Sequence, residues 1–91
     1  MKQETLARVT IPGPRPNGWF LTQARLPGEE AEHPYGQWSF FIEPQEQTSE
    51  RTFSAAVSFV GPDSPHDRLN PGVRLELFRG VFWVGTATIE A

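Results

Sequence analysis

Apolar and polar side chains alternate along short segments of this chain, and stretches rich in proline and glycine separate the segments. Alternation with a period of two is typical of β-strands that bury one face. Between residues 53 and 59, phenylalanine, alanine and valine at the odd positions alternate with serine or alanine at the even ones. The pattern predicts six strands: 5–11, 19–26, 37–43, 52–60, and two more within 69–89 that a bend at Arg79-Gly80 separates.

Four apolar residues of one segment also recur at the spacing i, i+3, i+4 and i+7, which is typical of an amphipathic helix. They are Phe53, Ala56, Val57 and Val60. A helix over about 45–60 is therefore the alternative to the fourth strand. We prefer the strand because serine alternates with apolar residues there and because Gly61-Pro62 ends the run abruptly.

Three glycines in the last segment occupy positions that a β-structure requires. Pro71-Gly72 predicts a tight turn, because proline pre-sets φ at the first central position and glycine accepts a positive φ at the second. Gly80 is predicted at the hairpin bend, where the backbone again takes a left-handed conformation. Gly85 interrupts the returning strand, which indicates a bulge, a barrel corner or a close backbone approach.

Six short strands predict an all-β protein. The proline-rich breaks leave little room for helix, since a helix tolerates proline only in its first turn. The 91 residues suffice for one domain with a modest core. We therefore predict a single domain over 1–91, built as a six-stranded Greek-key β-barrel that is closed or nearly closed.

The charge of the chain argues against a nucleic-acid backbone as its partner. The net charge is −3, Lys2 is the only lysine, and the arginines are scattered singly, whereas phosphate binding needs a clustered positive face. The absence of cysteine excludes disulfides and thiolate chemistry, and it favours a cytoplasmic location. No apolar leader follows Met1 and no apolar stretch reaches the length of a bilayer span, so neither secretion nor membrane insertion is expected.

The segment PGVRLELFRGVFWVGTATI, residues 71–89, resembles the closing hairpin of the C-terminal β-barrel of elongation factor Tu and related translational GTPases. That hairpin has a glycine, an arginine two residues later, alternating apolar residues, a turn glycine, then Val-Gly and a strand of small residues. Eight residues match it without a gap: Gly72, Arg74, Leu75, Leu77, Gly80, Val84, Gly85 and Ile89. The resemblance implies that the chain is a stand-alone version of this third domain, with its translation-protein-like barrel.

In that family the barrel packs against the GTPase domain and helps to hold the T-stem of aminoacyl-tRNA. The resemblance therefore implies, as an alternative function, a translation-associated RNA-binding module. GTP hydrolysis does not carry over, because the chain has no P-loop and no nucleotide-binding domain. The sequence departs from the family at Ala87, where glycine is usual, and at Arg79 and Val81, where glutamate and glycine are favoured.

The loop 61–67 carries a cluster of side chains that can do chemistry. Asp63, His66 and Asp67 suit a hard or borderline metal ion, which gives a second alternative, a small metal-dependent enzyme that uses this loop. Asp and Ser beside proline are also ordinary turn formers, and we favour that interpretation. His33 lies in another proline-containing loop, and neither histidine belongs to a catalytic motif. We therefore predict no enzyme and no cofactor.

The aromatic residues are more numerous than one buried face of a small barrel should absorb. Adjacent residues such as Phe82-Trp83 must point to opposite faces of a strand, so at least one faces outward or lies under a loop. Outward aromatic residues near arginine have the composition of protein-interface hot spots, whereas the alternative is that the loops 11–18 and 27–36 cover them. We predict a non-catalytic interaction module that binds a protein partner. The predicted contact residues are Trp19, Trp38, Trp83, Arg74 and Arg79.

Overall fold

The computed structural model describes residues 5–13, 17–32, 34–47 and 51–90. These residues form six strands: β1 (Thr5–Thr10), β2 (Phe20–Arg25), β3 (Trp38–Gln47), β4 (Thr52–Phe59), β5 (Arg74–Arg79) and β6 (Phe82–Ile89). One turn of 3₁₀ helix, His66–Arg68, is the only helical element in these ranges. No helix in the described part of the chain has the length and apolar character needed to cross a bilayer.

The strands close into a barrel in the order β1-β4-β3-β2-β5-β6, and every neighbouring pair is antiparallel. β2, β3 and β4 follow one another as neighbours, and β1 lies beside β4, which is a Greek-key arrangement. β6 pairs with β1 from Ala7 opposite Ile89 to Thr10 opposite Thr86, and this pairing closes the barrel. The predicted all-β, six-stranded barrel is therefore confirmed.

Alternation along the strands decides which side chains fill the barrel. Phe40 and Ile42 of β3 are fully buried, whereas Ser39, which precedes Phe40 on the same strand, is exposed. Leu75 and Leu77 of β5 are also fully buried, as the sequence predicts. The other core side chains are Ala7, Val9, Ala24, Leu26, Phe53, Ala55, Val57, Phe59, Ala87 and Ile89. Removing this apolar surface from water is the main favourable term in the folding of the barrel.

The helix alternative over 45–60 is wrong. Residues 45–47 belong to β3, and Thr52–Phe59 form β4. β4 pairs with β1 on one side and with β3 on the other, so two neighbouring strands supply its backbone hydrogen bonds. Phe53 and Val57 are buried and Ser58 is exposed, which follows the two-residue period of a strand.

β3 runs through Pro44 to Gln47, and the prediction that this strand ends at residue 43 is wrong. The pairing of β3 with β4 shifts by one residue between Pro44 and Glu46, which marks a β-bulge. Proline has no backbone N–H to donate to a ladder, and a bulge is one of the few places in a sheet that tolerates it. The bulge therefore accommodates the proline, and the strand continues.

The turns of the closing hairpin form where the glycines predict them. Gly72 has a φ of 90° and Gly80 a φ of 62°, and a 3.0 Å hydrogen bond spans the Pro71-Gly72 turn. Gly85 is buried where β6 meets β1, and a Cβ at this position would collide with the carbonyl oxygen of Thr10. Close backbone approach is therefore the reason for glycine within this strand.

Antiparallel strands bring their connections alternately to the two ends of the barrel. One end, which we call the hairpin end, carries the connection 11–19, the junction of β3 with β4, and the turn Gly80-Val81. The opposite end, which we call the long-loop end, carries the connections 26–37 and 60–73. The position of a residue on its strand therefore assigns it to one of these ends.

Candidate functional site

Large apolar side chains are exposed mainly at the hairpin end. Among the described residues, seven large apolar side chains are about half exposed or more, and two of them, Tyr35 and Val60, belong to the connections of the long-loop end. The other five, which we call the apolar rim, are Trp19 (61% exposed), Leu21 (53%), Val81 (57%), Phe82 (72%) and Trp83 (50%). Together they present on the order of 500 Å², which is at the upper end for the largest apolar patch of a typical monomer.

The apolar rim follows strands that neighbour one another. Phe82 and Trp83 lie on β6, Leu21 lies on β2, and β5 lies between these two strands. Trp19 directly precedes β2, and its ring stacks on Phe41 of β3 with the centroids 5.7 Å apart. The exposed apolar side chains therefore occupy one side of the hairpin end instead of being scattered around the barrel.

A β-bulge in the closing hairpin sets the orientation of the rim residues on β6. The pairing of β5 with β6 shifts between Leu77 and Phe78, so that β6 contains one extra residue. Strict alternation would bury one of two adjacent residues on such a strand, whereas a bulge redirects the side chains beyond it. The extra residue is Val84, so that Trp83 pairs with Phe78, outside the core cluster, and Phe82 pairs with Arg79 at the last position of the hairpin; both are exposed.

An open cleft of about 380 Å³ adjoins the apolar rim. Its walls come from the end of β1, the start of β2 and the closing hairpin. The lining residues are Ile11, Pro12, Phe20, Thr22, Arg79, Trp83 and Val84. This volume lies in the range of ligand pockets in proteins, and Arg79 is the only charged residue among the described residues that line it.

A second depression, of about 330 Å³, lies beside the first, and the two share Thr22 and Arg79. Its other lining residues are Leu21, Gln23, Ser39, Phe78 and Gly80. The Thr22 hydroxyl donates a hydrogen bond to the Phe78 carbonyl at 2.7 Å, and the Gly80 N–H donates one to Gln23 Oε1 at 3.0 Å. Several polar groups of the lining are thus already hydrogen-bonded within the barrel.

The structure places three of the five predicted contact residues at the hairpin end and two at the other. Trp19, Arg79 and Trp83 are exposed at the hairpin end. Trp38 begins β3 and Arg74 begins β5, so both lie at the long-loop end. The five residues therefore do not form a single surface.

Trp38 is held by contacts within the barrel. Its ring meets the ring of Phe59 edge to face, with the centroids 6.3 Å apart. Its indole N–H donates a hydrogen bond to Glu29 Oε2 at 3.3 Å, and the other oxygen of Glu29 accepts one from the backbone N–H of Leu26 at 3.0 Å. Trp38 therefore anchors the loop that contains Glu29, and its polar atom is already paired.

The loop 27–36 covers one outward aromatic residue, as the alternative interpretation predicts. Phe78 lies outside the core cluster, yet only 6% of it is exposed. The ring of Tyr35 packs against it at 6.2 Å, and the guanidinium carbon of Arg25 lies 5.0 Å from its centroid. The loop 27–36 does not cover the rim residues of the same hairpin, which remain exposed.

Asp63, His66 and Asp67 do not gather into a metal site. Within the part of the chain that the structure describes, no three His, Asp or Glu side chains are grouped so that they could hold a metal ion. His66 Nε2 lies 2.9 Å from the carbonyl oxygen of Gly61, within the same loop. The side chain of His66 is therefore engaged within its own loop. His33, the other candidate, lies outside the described residues.

The predicted contact residues do not include Leu21, Val81 and Phe82, although the sequence analysis places at least one of Phe82 and Trp83 on the outside. A signal for two of them exists in the predicted topology. In a barrel of six antiparallel strands, the first, third and fifth connections share one end. Trp19 follows the first connection, and Val81 and Phe82 lie at the fifth. Their shared location was therefore available from the strand order along the chain.

Comparison with known proteins assigns the chain to no family, because no family model, curated protein or solved structure matches it. The resemblance of residues 71–89 to the elongation factor Tu barrel accordingly stays a prediction. The same holds for RNA binding, which follows only from that resemblance.

Proposed function

We propose that the protein is a non-catalytic interaction module that binds a protein partner through the apolar rim. The observation that supports the proposal is the concentration of five large exposed apolar side chains on one side of the hairpin end. The core of the barrel is filled by other residues from all six strands. The exposed rim side chains therefore do not contribute to the stability of the barrel core. Binding of a partner surface would explain why they are apolar.

The chemistry of the apolar rim suits the centre of a protein interface. Tryptophan and arginine are enriched among the residues that dominate binding energy, and phenylalanine is enriched at interfaces. Trp83, Phe82 and Arg79 are neighbours at the hairpin, where Phe82 pairs with Arg79. Covering about 500 Å² at roughly 25 cal/mol per Å² yields on the order of 10 kcal/mol, before association costs of about 4–15 kcal/mol are subtracted. The rim is therefore best described as the hot spot of a larger interface.

Replacing Phe82 by serine is expected to separate binding from stability. Because 72% of Phe82 is exposed, the free energy of unfolding should change by less than about 0.5 kcal/mol. Loss of a hot-spot side chain typically costs about 2 kcal/mol or more of binding, which lowers affinity by about thirtyfold. Denaturant titration measures the free energy of unfolding. Affinity capture from native cell extract with quantitative mass spectrometry measures the amount of partner protein that is bound.

Val60→Ser is the matched control, because Val60 is 54% exposed but lies after β4 at the long-loop end. We expect this variant to capture the same partners as the unmodified protein. Equal capture by the Phe82 and Val60 variants would contradict the proposal. Capture that disappears after nuclease treatment, together with a salt-dependent shift of tRNA, would favour the RNA-binding alternative instead.

A further inference from the structure

The two depressions beside the apolar rim share Thr22 and Arg79 as lining residues, and we call the two together the groove. We infer that this groove binds an extended acidic segment of the partner protein, in which large apolar residues stand two positions before and two positions after an aspartate or glutamate. The inference rests on the proposed function and adds the chemistry of the partner to it. The apolar side chains enter the two depressions, and the carboxylate meets Arg79 between them.

Arg79 supplies the charge that this segment must match. Within the described part of the chain it has no ion-pair partner, whereas Arg8 lies 3.6 Å from Glu90 and Arg74 lies 3.7 Å from Glu76. Among the residues that the structure describes, none that lines the groove is acidic. A guanidinium presents its N–H donors in a planar fork that fits the two oxygens of a carboxylate. The groove is thus complementary to an anion held at its middle.

Apolar side chains flank Arg79 on both sides. Phe20 and Trp83 line the first depression, and Leu21 and Phe78 line the second. Volumes of about 380 and 330 Å³ provide room for one large apolar side chain in each depression. The Thr22 hydroxyl and Gln23 Oε1 already take part in hydrogen bonds, so apolar contact and the charge of Arg79 are the main interactions that the groove offers to a ligand.

An extended peptide fits this arrangement better than a small free carboxylate. In an extended chain, side chains at i, i+2 and i+4 point to the same face, so one segment reaches both depressions and Arg79 at once. A small carboxylate would fill one depression and leave the other depression and the 72% exposed Phe82 uncovered. The groove is also continuous with the rim, so a peptide can cover both surfaces together.

A double-mutant cycle tests the inference. The probes are fluorescent, glycine-flanked peptides with the cores Phe-Ser-Glu-Ser-Leu, Phe-Ser-Gln-Ser-Leu and Ser-Ser-Glu-Ser-Ser. We expect the first to bind the unmodified protein about three- to tenfold more tightly than the second, because one charge-assisted hydrogen-bonded pair is lost. In Arg79→Gln this ratio should fall to about one. Arg74→Gln, an exposed arginine outside the groove, should keep the ratio.

Several outcomes would overturn the inference: equal affinities for the first two peptides, an unchanged ratio in Arg79→Gln, or no saturable binding of any peptide. Tighter binding of the serine-flanked glutamate peptide would remove the apolar requirement and would also overturn it. Self-association in sedimentation velocity that Arg79→Gln abolishes would make a second copy of this chain the occupant instead. If these tests fail while capture still depends on Phe82, the inference is lost and the proposed function stands.

Discussion

Substituting Gly85 by alanine is expected to lower the free energy of unfolding by about 3 kcal/mol, which is the upper range for overpacking a filled interior. The added Cβ would collide with the carbonyl oxygen of Thr10 and would lie 3.0 Å from Cγ1 of Ile11. Because the obstacle is backbone, a change of side-chain rotamer does not relieve it. β6 would have to move away from β1, and this is the pairing that closes the barrel.

Gly61→Ala is the control for the glycine substitution. A Cβ at Gly61 meets only the side-chain oxygen of Ser64, at 3.1 Å, and this flexible group can give way. We expect this variant to lie within about 1 kcal/mol of the unmodified protein. Denaturant titration followed by tryptophan fluorescence compares the two. A Gly85→Ala protein as stable as Gly61→Ala would show that β1 and β6 are not packed as closely as described.

Truncating Phe40 to alanine is expected to cost about 3–5 kcal/mol, as is usual for a phenylalanine removed from a core. Phe40 is fully buried in β3, and its ring meets that of Phe59 edge to face with the centroids 5.3 Å apart. A domain of this size typically has a stability of roughly 5–15 kcal/mol. The variant should therefore unfold at a much lower denaturant concentration or be partly unfolded without denaturant.

Phe82→Ala is the matched control for the core truncation, because it removes the same side chain from a position that is 72% exposed. Its free energy of unfolding should change by less than about 0.5 kcal/mol. Denaturant titration measures the free energy of unfolding of both variants. A large difference between them distinguishes side chains that stabilise the barrel from those available to a partner. A similar decrease in the free energy of unfolding in both variants would contradict this distinction.

Much of the fold follows from local chemistry that the sequence displays. Alternation predicts that Phe40, Leu75 and Leu77 point inward, and all three are fully buried. The turn at Pro71-Gly72 and the bend at Gly80 follow from the backbone preferences of proline and glycine. Such inferences succeed because each depends on neighbours within a few residues along the chain.

The extension of β3 depends on a distant strand, and the sequence pattern did not reveal it. Pro44 is expected to end the strand, because proline has no backbone N–H to donate to a neighbouring strand. It stays in the sheet because a bulge opposite β4 accommodates it. Whether a proline ends a strand is thus decided by the partner strand, in which Ala55, the residue opposite Pro44, is eleven residues away in sequence.

The candidate site was predicted in part. Trp19, Trp83 and Arg79 share the hairpin end. The role of Trp38 depends on a loop contact, since Glu29 accepts a hydrogen bond from its indole N–H. The groove itself needs β2 beside β5 and β1 beside β6. No local pattern reports these pairings, so Ile11 and Phe20 could not be placed with Arg79 before the strand order was known.

The most direct measurement is photo-crosslinking from defined positions on the barrel. Benzoylphenylalanine in place of Phe82 samples the apolar rim, and the same group in place of Val60 samples an exposed apolar position at the opposite end. In native extract, a rim that docks a protein should give a discrete crosslinked product from position 82 that position 60 does not give, and Trp83→Ala should weaken it. The same products from both positions, or none from position 82, would contradict the account.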